Sequence, residues 1–144
     1  MTAHFESVQN AAMYPDAFDV AAPEIAFERD LWPRKLGVFV RNAPAAEGAE
    51  PDAKPVRELA IGQFGFVPQW VKSASDAKLR STKLVNARSE TVATTAAFRE
   101  PFRRRRCLVP ANGFYEWLKV PGQKTKQPMF IHRTDDQPFA FAGL

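Results

Sequence analysis

Apolar positions along this chain fall into short runs with alternating character, not into long helical stripes. From Arg34 to Arg41, RKLGVFVR, an apolar centre bounded by charge predicts a strand. The run LAIGQFGFVPQW, from Leu59, sets Ile61, Phe64, Phe66, Val67 and Trp70 among glycines at 62 and 65. It predicts a glycine-bent strand that Pro68 stops. Val71 to Lys83 is polar and predicts a loop with a helical turn. LVNAR predicts a short strand, and TVATTAAFR, Thr91 to Arg99, a weak helix terminated by Pro101. CLVP, GFYEWLKV, MFIHR and FAFAGL are further strand candidates, with Asn112-Gly113, Pro121-Gly122 and Asp135-Asp136 as turn residues between them. Strand richness over residues 59–144 with only short helices predicts an α+β fold dominated by antiparallel strands.

The chain has 144 residues, 45% apolar and 25% charged, which suits one globular domain (1–144) with enough apolar mass for a core. Residues 42–58, NAPAAEGAEPDAKPVRE, have almost nothing to bury and predict a mobile Ala/Pro/Glu-rich loop. No apolar run approaches the roughly 18 residues of a membrane helix, and the opening MTAHFESVQN has no secretory pattern. A single cysteine, Cys107, excludes an internal disulfide and a cysteine-based zinc site, so no metal or organic cofactor is expected and a cytoplasmic, nucleoid-associated location is the default. The final FAFAGL is apolar to its end, so it predicts either a covered strand or a fold that is incomplete at the C-terminus.

The net charge of +4 changes the picture through its placement. REPFRRRR, Arg99 to Arg106, holds five arginines against one glutamate, so the rest of the chain is neutral. A cationic stripe on a neutral body points to a polyanion, most often nucleic acid. A solvated charge run beside a strand accounts for the charge equally well.

Four segments in this order, FGFVPQW (64–70), LVNARSETVAT (84–94), RRCLVPANGFYEW (105–117) and KQPMFIHRTDDQPFAFAGL (126–144), resemble the SOS response-associated peptidase (SRAP) family, the abasic-site processing proteins. NARSET followed about twenty residues later by CLVPANGFYEW carries most of that specificity. The resemblance covers residues 59–144, and residues 1–58 match poorly. It implies an open, barrel-like fold of antiparallel strands. It also implies a protein that binds single-stranded DNA and forms a covalent cross-link at abasic sites, with DNA-damage and SOS-response roles and autopeptidase activity. In the family a cysteine directly after the initiator methionine attacks the sugar aldehyde, and its amine and thiol close a thiazolidine. An asparagine of the NAR motif, a glutamate of the FYEW motif and a histidine near the C-terminal end assist.

Carried onto this chain, the resemblance marks Asn86 and Glu116 as catalytic candidates. An amide can hold a sugar hydroxyl or an amine, although Asn86 alone would equally suit the backbone of a bent strand. Alternation puts Glu116 with Phe114 and Leu118 on one face, and Tyr115 with Trp117 on the other. A carboxyl on such a face suits the proton donation that opens a cyclic abasic sugar, or else an ordinary salt bridge. Arg88, two residues from Asn86, would share its strand face and offer a fork to phosphate. Trp70 and Trp117 suit base stacking or core packing alike. Arg105 and Arg106 would add salt-sensitive phosphate affinity. Cys107 reads as a core residue, and His4 and His132 as isolated.

The sequence departs from the family at both ends. Thr2 stands where the cysteine is expected, and the histidine segment would lie beyond Leu144. The chain therefore corresponds to the middle of the family domain. A truncated or miscalled gene, a degenerate binder, and a Thr2 amine forming a Schiff base are the three accounts. An abasic-site enzyme and a catalytically dead single-stranded DNA-binding module both stay open, each acting as a monomer and away from membranes.

Overall fold

A computed structural model describes residues 3–44, 48, 50, 52 and 54–144. Its elements in chain order are β1 (Phe5–Glu6), α1 (Met13–Phe18), β2 (Asp30–Leu31), β3 (Leu36–Asn42), β4 (Arg57–Gln63), α2 (Ala74–Lys83), α3 (Arg99–Arg104), β5 (Cys107–Ala111), β6 (Gly113–Leu118), β7 (Gln127–His132) and β8 (Phe139–Gly143). The strands form two four-stranded sheets, ordered β2-β1-β6-β7 and β4-β3-β5-β8. Every pairing is antiparallel. The fold is therefore α+β and mostly antiparallel, with its sheets open and not closed into a barrel.

In β3, Val38 and Val40 alternate inward and join Val8, Tyr14, Phe18 and Val20 in one buried cluster. Helix α1 delivers Tyr14 and Phe18 to it, and the Tyr14 hydroxyl donates to the Val8 carbonyl at 3.0 Å, so that buried polar atom is satisfied. A second cluster of Phe5, Leu31 and Ala111 lies between the sheets. There Phe5 meets Phe64 edge-on at 5.4 Å and Phe141 at 5.6 Å, while Phe114 meets Phe139 and Phe141. Such T-shaped pairs suit the ring quadrupole and fasten one sheet to the other. The chain changes sheets at Asn112, the one residue between β5 and β6. Its backbone N–H donates to the Glu6 carbonyl at 2.9 Å, and its side-chain amide reaches Glu6 Oε1 and the Ser7 carbonyl.

Several local expectations need correction. Residues 74–83 form the ten-residue helix α2, because Ser73 caps it by accepting the Asp76 N–H and Asp76 pairs with Arg80 one turn on. LVNAR is irregular connection, so strand alternation does not relate Asn86 to Arg88. Residues 89–98 are turns, and the helix begins at Arg99, with Pro101 inside its first turn, where a missing N–H costs nothing. The expected loop at 42–58 is shorter at both ends, since Asn42 closes β3 while Arg57 and Glu58 open β4. The expected mobility of its middle falls on residues 45–47, 49, 51 and 53, which lie outside the described residues. Strand β8 pairs with β5 along one side only, and β7 is exposed throughout. Among the described residues, no helix is long and apolar enough to cross a membrane.

Candidate functional site

The start of the described chain runs beside the candidate carboxyl. Strand β1 pairs with β6 through Phe5 opposite Phe114, and the Tyr115 N–H donates to the His4 carbonyl at 3.0 Å. The same register brings residue 3 level with Glu116. Glu116 is half-buried on β6, opposite Met129 of β7. Alternation sets it on the Phe114 side, the side facing β8, and this part of the expectation agrees with the strand. Thr2, the alternative nucleophile, lies outside the described residues.

Asn86 and Arg88 come from the connection that follows α2, and both are exposed. That connection is tied back towards β1 through the end of β4. Phe64 packs on Phe5, Gly65 turns the chain with φ of 114°, and the Phe66 N–H donates to the Leu84 carbonyl at 2.9 Å, two residues before Asn86. Only glycine fits at 65, because a Cβ there would run into the backbone carbonyl of Ser81 in α2. The Arg88 carbonyl then accepts the N–H groups of Thr91 and Val92, which fixes the start of the following turns.

Those turns lead to a cleft of about 420 Å³ between the Phe66–Trp70 segment and α3, lined by Phe66, Gln69, Trp70, Arg99, Glu100 and Arg105, among others. The cleft brings Trp70 and Arg105 together, two residues the sequence nominated separately. Trp70 is 49% exposed, and Phe66 meets Phe98 at 5.5 Å with the two rings tilted. Glu100 is engaged by Arg103 at 3.6 Å and Arg104 at 3.7 Å. Among the described residues, no carboxylate pairs with Arg88, Arg99, Arg105 or Arg106, whereas Arg29, Arg41, Arg80 and Arg133 each hold one. The cationic stripe thus leaves its uncompensated guanidinium groups at and beside the cleft.

Trp117 is 50% exposed on the face of β6 opposite Glu116 and is not part of that cleft. It shares its face with a row of rings that sequence reasoning missed. His4 stacks between Trp32 at 3.9 Å and Tyr115 at 4.2 Å, Tyr115 meets Phe130 at 4.9 Å, and Phe130 stacks on His132 at 5.3 Å. His4 Nε2 bonds Asp30 Oδ1 at 2.7 Å, and His132 Nδ1 lies 3.0 Å from Asp136 Oδ1. Neither histidine is isolated, contrary to expectation. The two-residue strands that align His4 and Trp32 are too short to show as alternation.

Cys107 is half-buried under Gly143 of β8, and burial pushes its thiol above the ordinary cysteine range. Such a thiol is a poor nucleophile. In the folded protein at pH 7.5, iodoacetamide should label it at least about tenfold more slowly than an exposed thiol of ordinary pKa, and unfolding should restore the rate. Rapid native labelling would contradict this placement.

A family model described as SOS response associated peptidase (SRAP) matches residues 1–144. The chain belongs to the SRAP family. The match includes residues 1–58, which corrects the expectation that the likeness begins at residue 59. Among curated SRAP relatives, the abasic site processing protein YoaM of Bacillus subtilis is 44% identical over 82 residues, covering 57% of this chain and 34% of YoaM. The abasic site processing protein HMCES of Pongo abelii is 35% identical over 95 residues, covering 65% of this chain and 24% of HMCES. The matched stretches thus span about a third or less of those relatives. A solved protein from Bordetella bronchiseptica shares the fold with a TM-score of 0.78 at 26% identity, covering 97% of this chain and 61% of the other.

Proposed function

We propose that this chain recognises abasic sites in single-stranded DNA and forms a covalent link to them, with Asn86 and Glu116 at the damaged sugar and Arg88, Trp117, Trp70, Arg105 and Arg106 along the strand. The observation that carries this reading is the β1–β6 register, which runs the first described residues past Glu116. In the SRAP chemistry, an N-terminal amine next to a carboxyl can condense with the ring-opened aldehyde, one water leaving. Glu116 supplies the proton for ring opening, and Asn86 orients the sugar or the amine through its amide. Arg88 takes a flanking phosphate. The guanidinium groups without carboxylate partners supply phosphate affinity that falls with added salt. Names of the relatives support DNA with abasic sites as the partner.

A second reading, non-covalent capture by a binding module, is favoured by one specific feature. Cys107 is held in β5 with its thiol raised by burial, so it does not serve as the nucleophile of a covalent link. One gel separates the two readings. Single strands with one abasic site, or none, are incubated with the protein, with and without borohydride, and run under denaturing conditions. An adduct that survives denaturation and appears only on the abasic strand supports the covalent reading. Preferential native binding of the abasic strand without any adduct supports the module. Equal behaviour of both strands overturns both readings.

A further inference from the structure

We propose that His4 is a positioning residue: its imidazole, gripped by Asp30, Trp32 and Tyr115, sets the pose in which the start of the chain passes Glu116, and with it the rate of the covalent step. The inference deepens the covalent reading above and rests on it. It gives a role to a residue outside the motif words.

Strand β1 is only two residues long, and Phe5 anchors it in depth by entering the cluster between the sheets. Depth alone leaves the tilt of so short a strand across β6 undetermined. His4 sits at its leading end, one step before residue 3, which lies level with Glu116. The His4 carbonyl accepts the Tyr115 N–H at 3.0 Å, so the backbone is tied to β6 at that step. Its side chain leaves on the side opposite to Phe5. The ring is 13% exposed and nearly parallel to both neighbours, 16° from Trp32 and 12° from Tyr115. Stacking fixes the plane of the imidazole, and the 2.7 Å bond from Nε2 to Asp30 Oδ1 fixes its direction within that plane.

Charge makes the same contact specific. Glu6 and Asp30 stand directly opposite each other in the β1–β2 register, an arrangement of like charges that weakens a strand pair. Each carboxylate is taken up by a different partner, Asp30 by His4 and Glu6 by Arg29 Nε at 2.9 Å. Removing the imidazole therefore empties the slot between two rings and also sets Asp30 against Glu6. The slot calls for a flat group that donates to a carboxylate. Imidazole and guanidinium meet both conditions, and a leucine side chain meets neither. His132 makes contacts of the same kind with Phe130 and Asp136, but it does so at the far end of the row, on the exposed strand β7.

The test reads the full chain in two ways. Amide hydrogen exchange at Tyr115, followed by NMR, reports the bond to the His4 carbonyl without any DNA. Adduct formation on an abasic single strand, timed over a range of strand concentrations, separates the maximal rate from the half-saturating concentration. His4→Leu should speed exchange at Tyr115 about tenfold relative to the β6–β7 ladder. It should also lower the maximal rate about tenfold or more, as a misplaced reacting group does, and leave the half-saturating concentration unchanged. His4→Arg should bring both readings back to within about threefold of wild type, because a guanidinium stacks between the rings and pairs with Asp30. His132→Leu should alter neither reading. The proposal is overturned if His4→Leu exchanges at Tyr115 as wild type does, if its defect lies in the half-saturating concentration and not in the maximal rate, or if the arginine variant is as defective as the leucine variant. A wild-type chain that forms no adduct would sink the covalent reading, and the exchange series alone then decides whether His4 sets the start of the chain.

Discussion

Gly65→Ala should lower the melting temperature by roughly 10 °C, about 3 kcal/mol or more at a few degrees per kcal/mol for a chain of this size. Two penalties coincide at this position. The φ of 114° is one that a side chain resists, and the new methyl would meet the Ser81 carbonyl inside α2. Ser81 cannot retreat easily, because it is buried and its hydroxyl is bonded to the Lys78 carbonyl at 3.0 Å. Gly122→Ala separates the two penalties. Gly122 also has positive φ, at 80°, but open space surrounds it in the β6–β7 turn, so only the backbone cost of about 1 kcal/mol should appear. Comparable melts for the two variants would refute the close packing of α2 on residue 65. Strand binding should suffer with Gly65→Ala too, because the Phe66–Leu84 bond that locates Asn86 lies one residue away.

Glu116→Gln should reduce the rate of adduct formation on an abasic single strand by about 10²-fold or more, the usual scale of a lost general acid. The amide keeps the shape of the half-buried side chain on β6, so the melt and the affinity for an undamaged strand should stay near wild type. A rate within a factor of two of wild type would remove Glu116 from the chemistry. Asn86→Ala in parallel shows whether the connection after α2 works at the same sugar, since a defect in strand binding alone would assign Asn86 to the interface.

The strands most legible in the sequence were those with a clear inward alternation. Val38 and Val40 mark β3, and β5 to β8 follow the apolar runs interrupted by turn residues. Helix α2 was hidden because little of its stability comes from an apolar face. A serine cap, an acid–base pair one turn apart and a buried Ser81 against Gly65 hold it, and none of these is a periodic signal. LVNAR has the composition of a strand, but among the described residues its backbone joins no ladder: the Leu84 carbonyl accepts from Phe66 and the Arg88 carbonyl from the turns that follow. Coming after the run TVATTAAFR, Pro101 predicts a helix end, but its place in the first turn of α3 makes it a starter. The motif words located Asn86 and Glu116, and long-range folding alone brought Trp70, Arg99 and Arg105 around one cleft.

The row of rings from Trp32 through His4 and Tyr115 to Phe130 runs level across the sheet, with Trp32 and His4 flanking the ends of β2 and β1 and Tyr115 and Phe130 on β6 and β7. Sliding any strand by one position would swing its aromatic member to the opposite side and break the stack on both flanks. Two of these strands, β1 and β2, are only two residues long and have few hydrogen bonds with which to hold their alignment. The rings therefore act as a vernier: mispairing is penalised at each step across the sheet, and the segment that passes Glu116 arrives in a single frame.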